Sequence, residues 1–538
     1  MPNVSTDYMV EYARTSCDSE TACTALIGAL TGHPVHDWLQ CAQALVLRHD
    51  IQTATRVLSA AMTEYPDSGE VNFALAGMHH QLGRYDQAEI LLRNLLERQP
   101  CHEAATFLLV RIFKDHGRMC AAATAIRQLF QHGQHELATV IQAVELLDEC
   151  DRKQDAAAIC EAEIAGGSTD PRIYAYAGML LAQLGQFDLA RKRYIFALAN
   201  SEHAFVWNIA LGLAGLQRYK DASHPDFTVF QDNLRRSDLN DQERASLLFA
   251  LGKAHDDIGD YANAAQYLRQ GNALQCSHLR WSRKLWRRGV EARRGRKRLL
   301  SRSAKLHDWT PVFIVGMPRS GTTLLAELLA RHPDVCNRGE LAWMQKIEQQ
   351  FSPDDRNNPA WYEDAAAIYQ SQLRQDDSDA LWFIDKQPHN FLCVDLILAL
   401  FPYAKIIYCC RHARDNALSL WSQCFVADAQ GFSYDFADIA AVIQSSQRLM
   451  AHWQTDYASS IQVVHYEQLT SNPATCIAAL ATWLGLPECD LLATESRTTA
   501  ISTASLWQAR QPVYTRSVER WSHYAPFLPE LLRFPASL

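Results

Sequence analysis

A glycine-containing loop between an apolar run and a helical run holds the residues of this chain that could do chemistry. Residues 311–325 have the sequence PVFIVGMPRSGTTLL. The pattern predicts a buried strand at Val312–Val315, a tight loop, and a helix capped by Thr322 or Thr323. Such a loop points backbone N–H groups and the positive end of a helix dipole at one place, which suits a phosphate group. Nucleotide chemistry is therefore the first hypothesis.

The loop lacks the lysine of the nucleoside triphosphatases. Gly316 and Gly321 have the spacing of the P-loop glycines, but Thr322 stands where that motif has its phosphate-binding lysine. The positive charge lies inside the loop instead, at Arg319. A nucleoside triphosphatase is therefore disfavoured. The alternative that remains from the residues alone is a helix-capping turn without a ligand.

The residues of this loop resemble the phosphosulfate-binding loop of the sulfotransferases. The resemblance rests on the string PRSGTTL at 318–324 and on Gly339-Glu340, shortly after the next helix. Those enzymes use 3'-phosphoadenosine 5'-phosphosulfate (PAPS) as donor and need no metal. The resemblance implies that the donor contacts the loop at Pro318, Arg319, Ser320, Gly321, Thr322 and Thr323.

Strands and helices alternate through the second half of the chain, which predicts a three-layer α/β domain with a central parallel sheet. Further apolar runs predict strands at 381–385, 405–410 and 461–465, and helical patterns occur at 323–331, 392–401, 414–421 and 474–484. Active groups of such a sheet lie past the carboxyl ends of its strands. Three cations follow predicted strands and are therefore candidates: Arg319, Lys386 and Arg411.

The segment Arg411–Ser419 has an arginine directly after a strand and a serine eight residues later. It resembles the motif with which sulfotransferases bind the 3'-phosphate of the donor. A guanidinium offers phosphate a bidentate fork, and a serine hydroxyl adds a neutral donor. His412 stands where the family commonly has an aspartate, so its role is open. The alternative for the motif by itself is a surface ion pair.

Lys386, in the string DKQPHN, aligns with a lysine that in related enzymes approaches the bridging oxygen of the donor. Sulfuryl transfer, like phosphoryl transfer, needs charge stabilisation at the leaving oxygen. Arg319 and Lys386 are predicted to supply it. Asp385 is expected either to fix Lys386 or to form an ordinary surface ion pair with it.

An acceptor hydroxyl needs a general base because it is a poor nucleophile. Glu340 lies in the string GEL, 21 residues after Arg319, as in protein-tyrosine and several glycan sulfotransferases, which use a glutamate. The resemblance makes Glu340 the predicted base. His389 and His332 are the alternatives, and a purely structural role for Glu340 also stays open.

Residues 505–521 lie where members of the family close a loop over the nucleotide. The resemblance therefore implies donor contacts from Ser517 and Arg520, with Arg510 and Arg516 as further cations. The spacing of the aromatic residues in this segment is equally compatible with packing.

The first half of the chain is a repeat array, because five alanines recur every 34 residues. This period resembles the tetratricopeptide repeat (TPR), in which each helical hairpin buries its apolar face against its neighbours. The resemblance implies a groove that docks a protein or peptide substrate. Self-association as a homodimer and a rigid appendage are the alternatives. The alanines are Ala54, Ala88, Ala122, Ala156 and Ala190.

Four segments follow from these patterns: an N-terminal helical cap at 1–34, a TPR solenoid at 35–275, a basic connecting segment at 276–309 and a sulfotransferase domain at 310–538. Residues 280–305 hold twelve basic residues and one acidic residue. This stretch is interpreted either as a site for an anionic lipid surface, donor or substrate, or as a solvated helix paired with acidic repeat surface; the second is favoured. Nucleic acid is not predicted, because no reading module accompanies the charges.

Composition limits the class of protein. The chain of 538 residues is long enough for two or three domains, and no stretch approaches the roughly 20 apolar residues of a membrane span. The N-terminus has no secretory pattern, and the 15 cysteines lack the spacing of a metal site or a disulfide framework. A cytoplasmic protein without a transmembrane segment is expected.

Together the motifs predict a PAPS-dependent, metal-independent sulfotransferase fused to a TPR solenoid. The glutamate base and the repeats favour tyrosine of a protein or peptide as acceptor. A glycan, lipid or small-molecule hydroxyl is the alternative within the same enzyme class. A non-catalytic TPR adaptor with a nucleotide-binding domain is the alternative from another class. It is disfavoured because every expected site residue is present, namely Arg319, Glu340, Lys386, Arg411 and Ser419.

Overall fold

The computed structural model describes residues 6–15, 19–131, 133–278, 280–296, 299, 308–352, 355, 358–425, 428–492 and 513–535. The chain separates into two compact units, Met1–Ala156 and Ala157–Leu538. The first unit is helical, and the second holds further helical repeats together with a parallel sheet. The division of the chain into the four segments expected from the sequence stays a prediction.

The first unit consists of helical hairpins, as the repeat pattern predicts. Ala54, Ala88 and Ala122 are fully buried. Gly83 and Gly117, at the turns between paired helices, both have a φ of 71°, the left-handed conformation that glycine adopts without strain. The helices are α1 Thr6–Thr15, α2 Glu20–Leu30, α3 Val35–Leu47, α4 Ile51–Glu64, α5 Gly69–Gln81, α6 Tyr85–Arg98, α7 Glu103–Asp115, α8 Met119–Phe130, α9 Leu137–Glu149 and α10 Lys153–Ala165, in which the division between the units falls.

The repeats continue in the second unit. Gly252 is required by close approach of two paired helices, since a Cβ atom there would lie 2.7 Å from the Leu268 side chain. Residues 200–240, before the last repeat, contain only short helices. The helices are α11 Pro171–Gln183, α12 Phe187–Ala199, α13 Ile209–Gly215, α14 Pro225–Leu234, α15 Asp241–Asp257 and α16 Tyr261–His278.

The basic connecting segment forms helix α17, Arg283–Arg294. Three described cations pair with acids beyond the repeats: Arg283 with Asp438, and both Arg293 and Arg296 with Glu348. The expectation of acidic repeat surface as partner is therefore wrong for these three. Residues 279, 297–298 and 300–307 of this segment lie outside the described residues. The apolar side of α17 also packs on the sheet domain, where Val290 is buried in the core.

The sheet has five parallel strands in the order β2-β3-β1-β4-β5. The predicted parallel sheet is therefore confirmed, with β1 at its centre. Strands β1, β3, β4 and β5 are those expected from apolar runs, whereas the short β2 was not predicted. The bounds are β1 Thr310–Gly316, β2 Val335–Asn337, β3 Trp382–Asp385, β4 Lys405–Cys410 and β5 Ile461–His465.

Helices cover both faces of the sheet, which confirms the three-layer α/β architecture. Val312 and Ile314 pack against α18 and α25, while the alternate residues Phe313 and Val315 pack on the opposite side against α20, α21 and α23. Within the described residues, no helix has the length and apolarity needed to cross a membrane. The helices are α18 Thr322–Leu329, α19 Trp343–Gln350, α20 Pro359–Arg374, α21 Val394–Leu400, α22 Ala413–Trp421, α23 Phe436–Asp456, α24 Tyr466–Ser471, α25 Pro473–Leu484 and α26 Trp521–Tyr524.

Substituting Ala88 by leucine tests the packing of the repeats. Ala88 is fully buried, so extra methylene groups must displace a neighbouring helix. We expect Ala88→Leu to lower the free energy of unfolding by about 1–3 kcal/mol in urea titrations. Gln87→Leu, at an exposed position of the same helix, is the control and should change it by less than about 0.5 kcal/mol. Equal effects of the two substitutions would contradict the close packing.

Candidate active site

Two glycines let the loop after β1 pass close to its neighbours. A Cβ atom at Gly316 would lie 2.4 Å from the Cys409 carbonyl oxygen of β4. A Cβ atom at Gly321 would lie 2.6 Å from the Tyr466 ring. Both glycines also have positive φ angles, 145° and 98°. The loop conformation therefore depends on glycine at both positions.

Helix α18 begins at Thr322 with Gly321 as its N-cap residue, so the expectation that a threonine caps it is wrong. Among the described residues, no side chain accepts a cap hydrogen bond at this helix start. Thr322 and Thr323 are instead buried in the first turn. A glycine cap brings no side-chain oxygen of its own to the first helical N–H groups, and a helix start of this kind can bind an anion.

Arg319 joins the loop to the Arg411–Ser419 motif. It has a φ of 68°, an uncommon left-handed conformation for a residue with a side chain. Its Nε donates to the Ser419 hydroxyl at 3.1 Å. Its carbonyl oxygen accepts from Arg411 Nη1 at 2.9 Å. The two motifs, which are distant in the sequence, thus meet at the carboxyl ends of β1 and β4.

Arg411 is held on several sides. Its Nη2 donates to the Ser517 carbonyl oxygen at 2.7 Å, and its guanidinium lies 4.5 Å from the centre of the Tyr466 ring. Its Nε is buried and has no hydrogen-bond partner among the described residues, and the same is true of the Ser320 hydroxyl. Buried donors without partners are rare in folded proteins, and an anionic ligand would satisfy both.

A cavity of about 390 Å³ lies beside these groups. Ser320, Arg411 and Asn416 contribute to its wall, together with Cys410 and His465 at the ends of β4 and β5. The cavity gives room for a ligand next to the unpartnered donors.

The site is strongly electropositive. Burial lowers the pKa of Arg319 to about 10, and the positive charges of Arg411 and Arg520 act in the same direction. A desolvated cluster of like charges is unfavourable until an anion neutralises it. The electrostatics therefore favour a ligand with negative charge at this place.

Glu340 and Lys386 form an ion pair on the other side of β1, at the end of β3. Lys386 Nζ lies 2.5 Å from Glu340 Oε1, with 2% of the lysine side chain and 41% of the glutamate side chain exposed. The backbone is paired as well, since Lys386 N donates to the Gly339 carbonyl oxygen at 2.8 Å. The predicted base and the predicted leaving-group cation are therefore direct neighbours.

Asp385 neither fixes Lys386 nor forms a surface ion pair with it, the two roles expected from the sequence. Its carboxylate accepts from the backbone N–H groups of Leu341 and Gln387 at 3.2 and 2.9 Å. It also accepts from the Tyr369 hydroxyl at 2.5 Å and from Asn390 Nδ2 at 2.8 Å. Asp385 thus fixes the loop that carries Glu340, while Lys386 pairs with Glu340 itself.

The two alternative bases differ in their surroundings. His389 lies among the rings of Trp286, Phe391 and Phe432, and burial lowers its pKa to about 4, against an opposing effect of Glu340. Both ring nitrogens of His332 are engaged by backbone groups, the carbonyl of Pro487 and the N–H of Asp334. His332 therefore has no ring nitrogen available for an acceptor.

Of the C-terminal candidates, Ser517 reaches the site through its carbonyl oxygen. Arg520 pairs with Asp256 of the last repeat at 2.7 Å. Arg516 lies 4.1 Å from the centre of the Tyr514 ring. Arg510 lies outside the described residues.

Two positioning residues, Asn416 and Asp415, were not identified from the sequence. Asn416 Nδ2 donates to the Pro318 carbonyl oxygen at 2.9 Å and so fixes the loop. The Asp415 carboxylate accepts from the N–H groups of Glu519 and Trp521 at 2.7 and 2.9 Å. Both lie inside the Arg411–Ser419 motif, but their partners are too far away in sequence for any local pattern to indicate them.

An α/β domain with a buried cationic loop at the centre of a parallel sheet is thus the class of protein that the fold and site define. Residues 311–490 match the model of the sulfotransferase family, and residues 45–108 and 245–275 match tetratricopeptide repeat models. The chain therefore contains a sulfotransferase family domain together with TPR repeats.

Individual relatives have low sequence identity to this chain. An uncharacterized protein of Aquifex aeolicus is 28% identical over 66% of this chain and 48% of its own length. Protein-tyrosine sulfotransferase 1 of Danio rerio is 28% identical over 34% of this chain and 54% of its own length. The chain thus spans about half the length of these relatives. Among solved structures, the sulfotransferase domain of the Synechococcus PCC 7002 olefin synthase is 21% identical over 41% of this chain and 90% of that chain, with a TM-score of 0.31.

The buried Asp385 predicts a pH dependence of stability. Burial raises its pKa in the folded protein to about 7, above the ordinary value of an aspartate. Between about pH 4 and pH 7 the folded protein therefore holds a proton that the unfolded chain has lost, and Asp385 makes stability fall as the pH rises, by about 1.4 kcal/mol per pH unit.

The measurement is urea unfolding of the wild type and Asp385→Asn at pH 5, 6, 7 and 8. We expect the stability advantage of the wild type to shrink from pH 5 to pH 7 and then to level off. An advantage that stays constant over this range would show that Asp385 does not titrate there.

Proposed function

We propose that this protein is a PAPS-dependent sulfotransferase that moves a sulfuryl group to an acceptor hydroxyl. One observation carries the proposal: Arg319, Arg411 and Ser419 meet at the carboxyl end of β1 beside two buried donors without partners. This is an anion site built from side chains and a helix start.

The chain's residues suit the donor. PAPS carries a 3'-phosphate and a 5'-phosphosulfate. Arg411 and Ser419 would hold the 3'-phosphate, with the free Arg411 Nε available for it. The start of α18, with Arg319 and Ser320, would hold the 5' end. The adjacent cavity would take part of the nucleoside.

The transfer is a direct displacement. The acceptor oxygen forms a bond to sulfur, the bond between sulfur and the 5'-phosphate oxygen breaks, and the electron pair stays on the bisphosphate product. The acceptor proton goes to the Glu340 carboxylate. Lys386 and Arg319 stabilise the negative charge that develops on the leaving oxygen.

Tyrosine of a protein or peptide is the acceptor that we propose. The glutamate base supports it, because the resembling enzymes that use a glutamate include protein-tyrosine sulfotransferases. The relative from Danio rerio bears that name. The TPR array supplies a surface of the kind that docks peptides. Sulfate transfer to a glycan, lipid or small-molecule hydroxyl, with none to tyrosine peptides, would replace this acceptor and leave the rest of the proposal intact.

The donor site is tested by calorimetric titration without metal. We expect the wild type to bind adenosine 3',5'-bisphosphate and to prefer it to adenosine 5'-phosphate and to ATP. Arg411→Ala should weaken binding of the bisphosphate by about tenfold or more, because a charge-assisted contact is lost. Binding of adenosine 5'-phosphate should be affected much less. Arg448→Ala, which removes an exposed cation from α23, is the control for net charge. Equal losses for both nucleotides would refute the 3'-phosphate assignment, and a preference for ATP would refute the donor.

The base is tested by Glu340→Gln. We expect kcat with labelled PAPS and a tyrosine peptide to fall by about 10²- to 10⁴-fold, because a general base is lost. Affinity for adenosine 3',5'-bisphosphate should stay within about threefold, since Glu340 faces the acceptor in this mechanism. Glu363→Gln, at an exposed position of α20, is the matched control. A near-normal rate for Glu340→Gln would move the base to His389 or elsewhere.

A further inference from the structure

The segment 513–524, here called the C-terminal strap, touches the donor site on one side. Its Ser517 carbonyl oxygen accepts from Arg411 Nη2 at 2.7 Å. Its backbone N–H groups at Glu519 and Trp521 both donate to the Asp415 carboxylate. The strap therefore holds the guanidinium that we assign to the 3'-phosphate.

On its other side the strap is held by the last repeat. Asp256, near the end of α15, pairs with Arg520 at 2.7 Å and accepts from the Tyr524 hydroxyl at 2.6 Å. Tyr261, at the start of α16, stacks on the His523 ring with a centroid distance of 5.0 Å and an interplanar angle of 7°. The repeat and the donor site thus both hold the same short segment.

The ion pair between Arg520 and Asp256 is largely shielded from solvent. The side chains of Arg520 and Asp256 are only 23% and 19% exposed. Burial raises the pKa of Asp256, but Arg520 and the Tyr524 hydroxyl outweigh it and leave the pKa below its ordinary value. Within the part of the chain that the structure describes, no other acid lies at ion-pair distance from Arg520. Removing Asp256 would leave a largely buried cation without a partner, which is costly.

The strap also contains a residue with a strained backbone. Glu519 has a φ of 60°, a left-handed conformation that is unfavourable for a residue with a side chain. Such a conformation persists only when the surrounding structure holds it. Asp415 supplies one set of contacts, and Asp256 supplies the other through the next residue, Arg520.

We propose that Asp256 is a positioning residue for the donor site: by pairing with Arg520 it fixes the strap, and the strap's Ser517 carbonyl holds Arg411 in place for the donor. The last repeat is then part of the catalytic apparatus, in addition to any docking role of the array. The inference rests on the proposed function for the identity of the donor. The contact path from Asp256 to Arg411 does not depend on that identity.

The experiment compares the wild type with Asp256→Asn in the full-length protein. Hydrogen–deuterium exchange without ligand reports on the strap, and calorimetry reports the affinity for adenosine 3',5'-bisphosphate. We expect faster exchange across 513–524 and an affinity weakened by about tenfold, within the usual range for coupling between sites. In steady-state assays KM for PAPS should rise, while KM for the acceptor stays within about twofold, a split that general destabilisation would not produce. Asp256→Glu, which keeps the charge, should restore part of the affinity.

Arg269→Gln is the matched control. Arg269 of α16 also pairs with the C-terminal region, at Glu530. This pair lies farther along the chain than the strap, and its arginine side chain is half exposed. The control should change neither exchange at 513–524 nor the affinity. If Asp256→Asn does not fold, Tyr524→Phe removes only one hydroxyl from Asp256 and should give a smaller effect in the same direction.

Unchanged exchange in the strap would overturn the inference, and so would unchanged or tighter binding of the bisphosphate. Tighter binding would mean that Asp256 competes with the donor for Arg520. A wild type that binds no bisphosphate would instead refute the proposed function. Exchange would then still decide whether Asp256 fixes the strap, because that measurement needs no ligand.

Discussion

The rest of the site depends on the contacts of the Arg411 guanidinium. It donates to the carbonyl of Arg319 in the loop after β1 and to the carbonyl of Ser517 near the C-terminus, and it lies on the Tyr466 ring after β5. Three segments that are far apart in the sequence therefore share one cation. Since a guanidinium has several donors in a fixed plane, no lysine could make the same set of contacts.

The sheet explains why these segments meet. In the order β2-β3-β1-β4-β5, the loop after β1 lies between the residues that follow β3 and those that follow β4. Lys386 and its partner Glu340 thus lie on one side of the loop and Arg411 on the other. A donor bound at the loop would have a phosphate site on one flank and an acid–base pair on the other. Parallel strand order alone creates this arrangement.

Much of this could be predicted from the sequence. Four of the five strands have apolar runs that are visible without a structure, and each candidate cation follows one of them. The three-residue β2 could not be found, since it is too short to show a period. Helix α23 was not predicted either, although it is long and has a buried apolar side. It carries no motif of the donor site.

The helix start shows a local limit of prediction. Thr322 and Thr323 are good capping residues, but Gly321 takes the cap position because the loop must pass close to the Tyr466 ring. A tertiary contact therefore decided the cap residue against the local preference for threonine. The pairing of Asp256 with Tyr524 could not be predicted for another reason, because the two residues are 268 positions apart.

The connecting helix has a consequence for how such chains can be recombined in evolution. Basic composition marks residues 280–305 as a linker, but Val290 is buried in the core of the sheet domain and Arg293 pairs with Glu348. The last repeat shares a core with the same domain through Phe249 and Leu268. A new repeat array could not be joined at the compositional boundary without leaving these apolar surfaces exposed. The unit that evolution can transfer intact is thus larger than the family domain, and includes the final repeat and the basic helix.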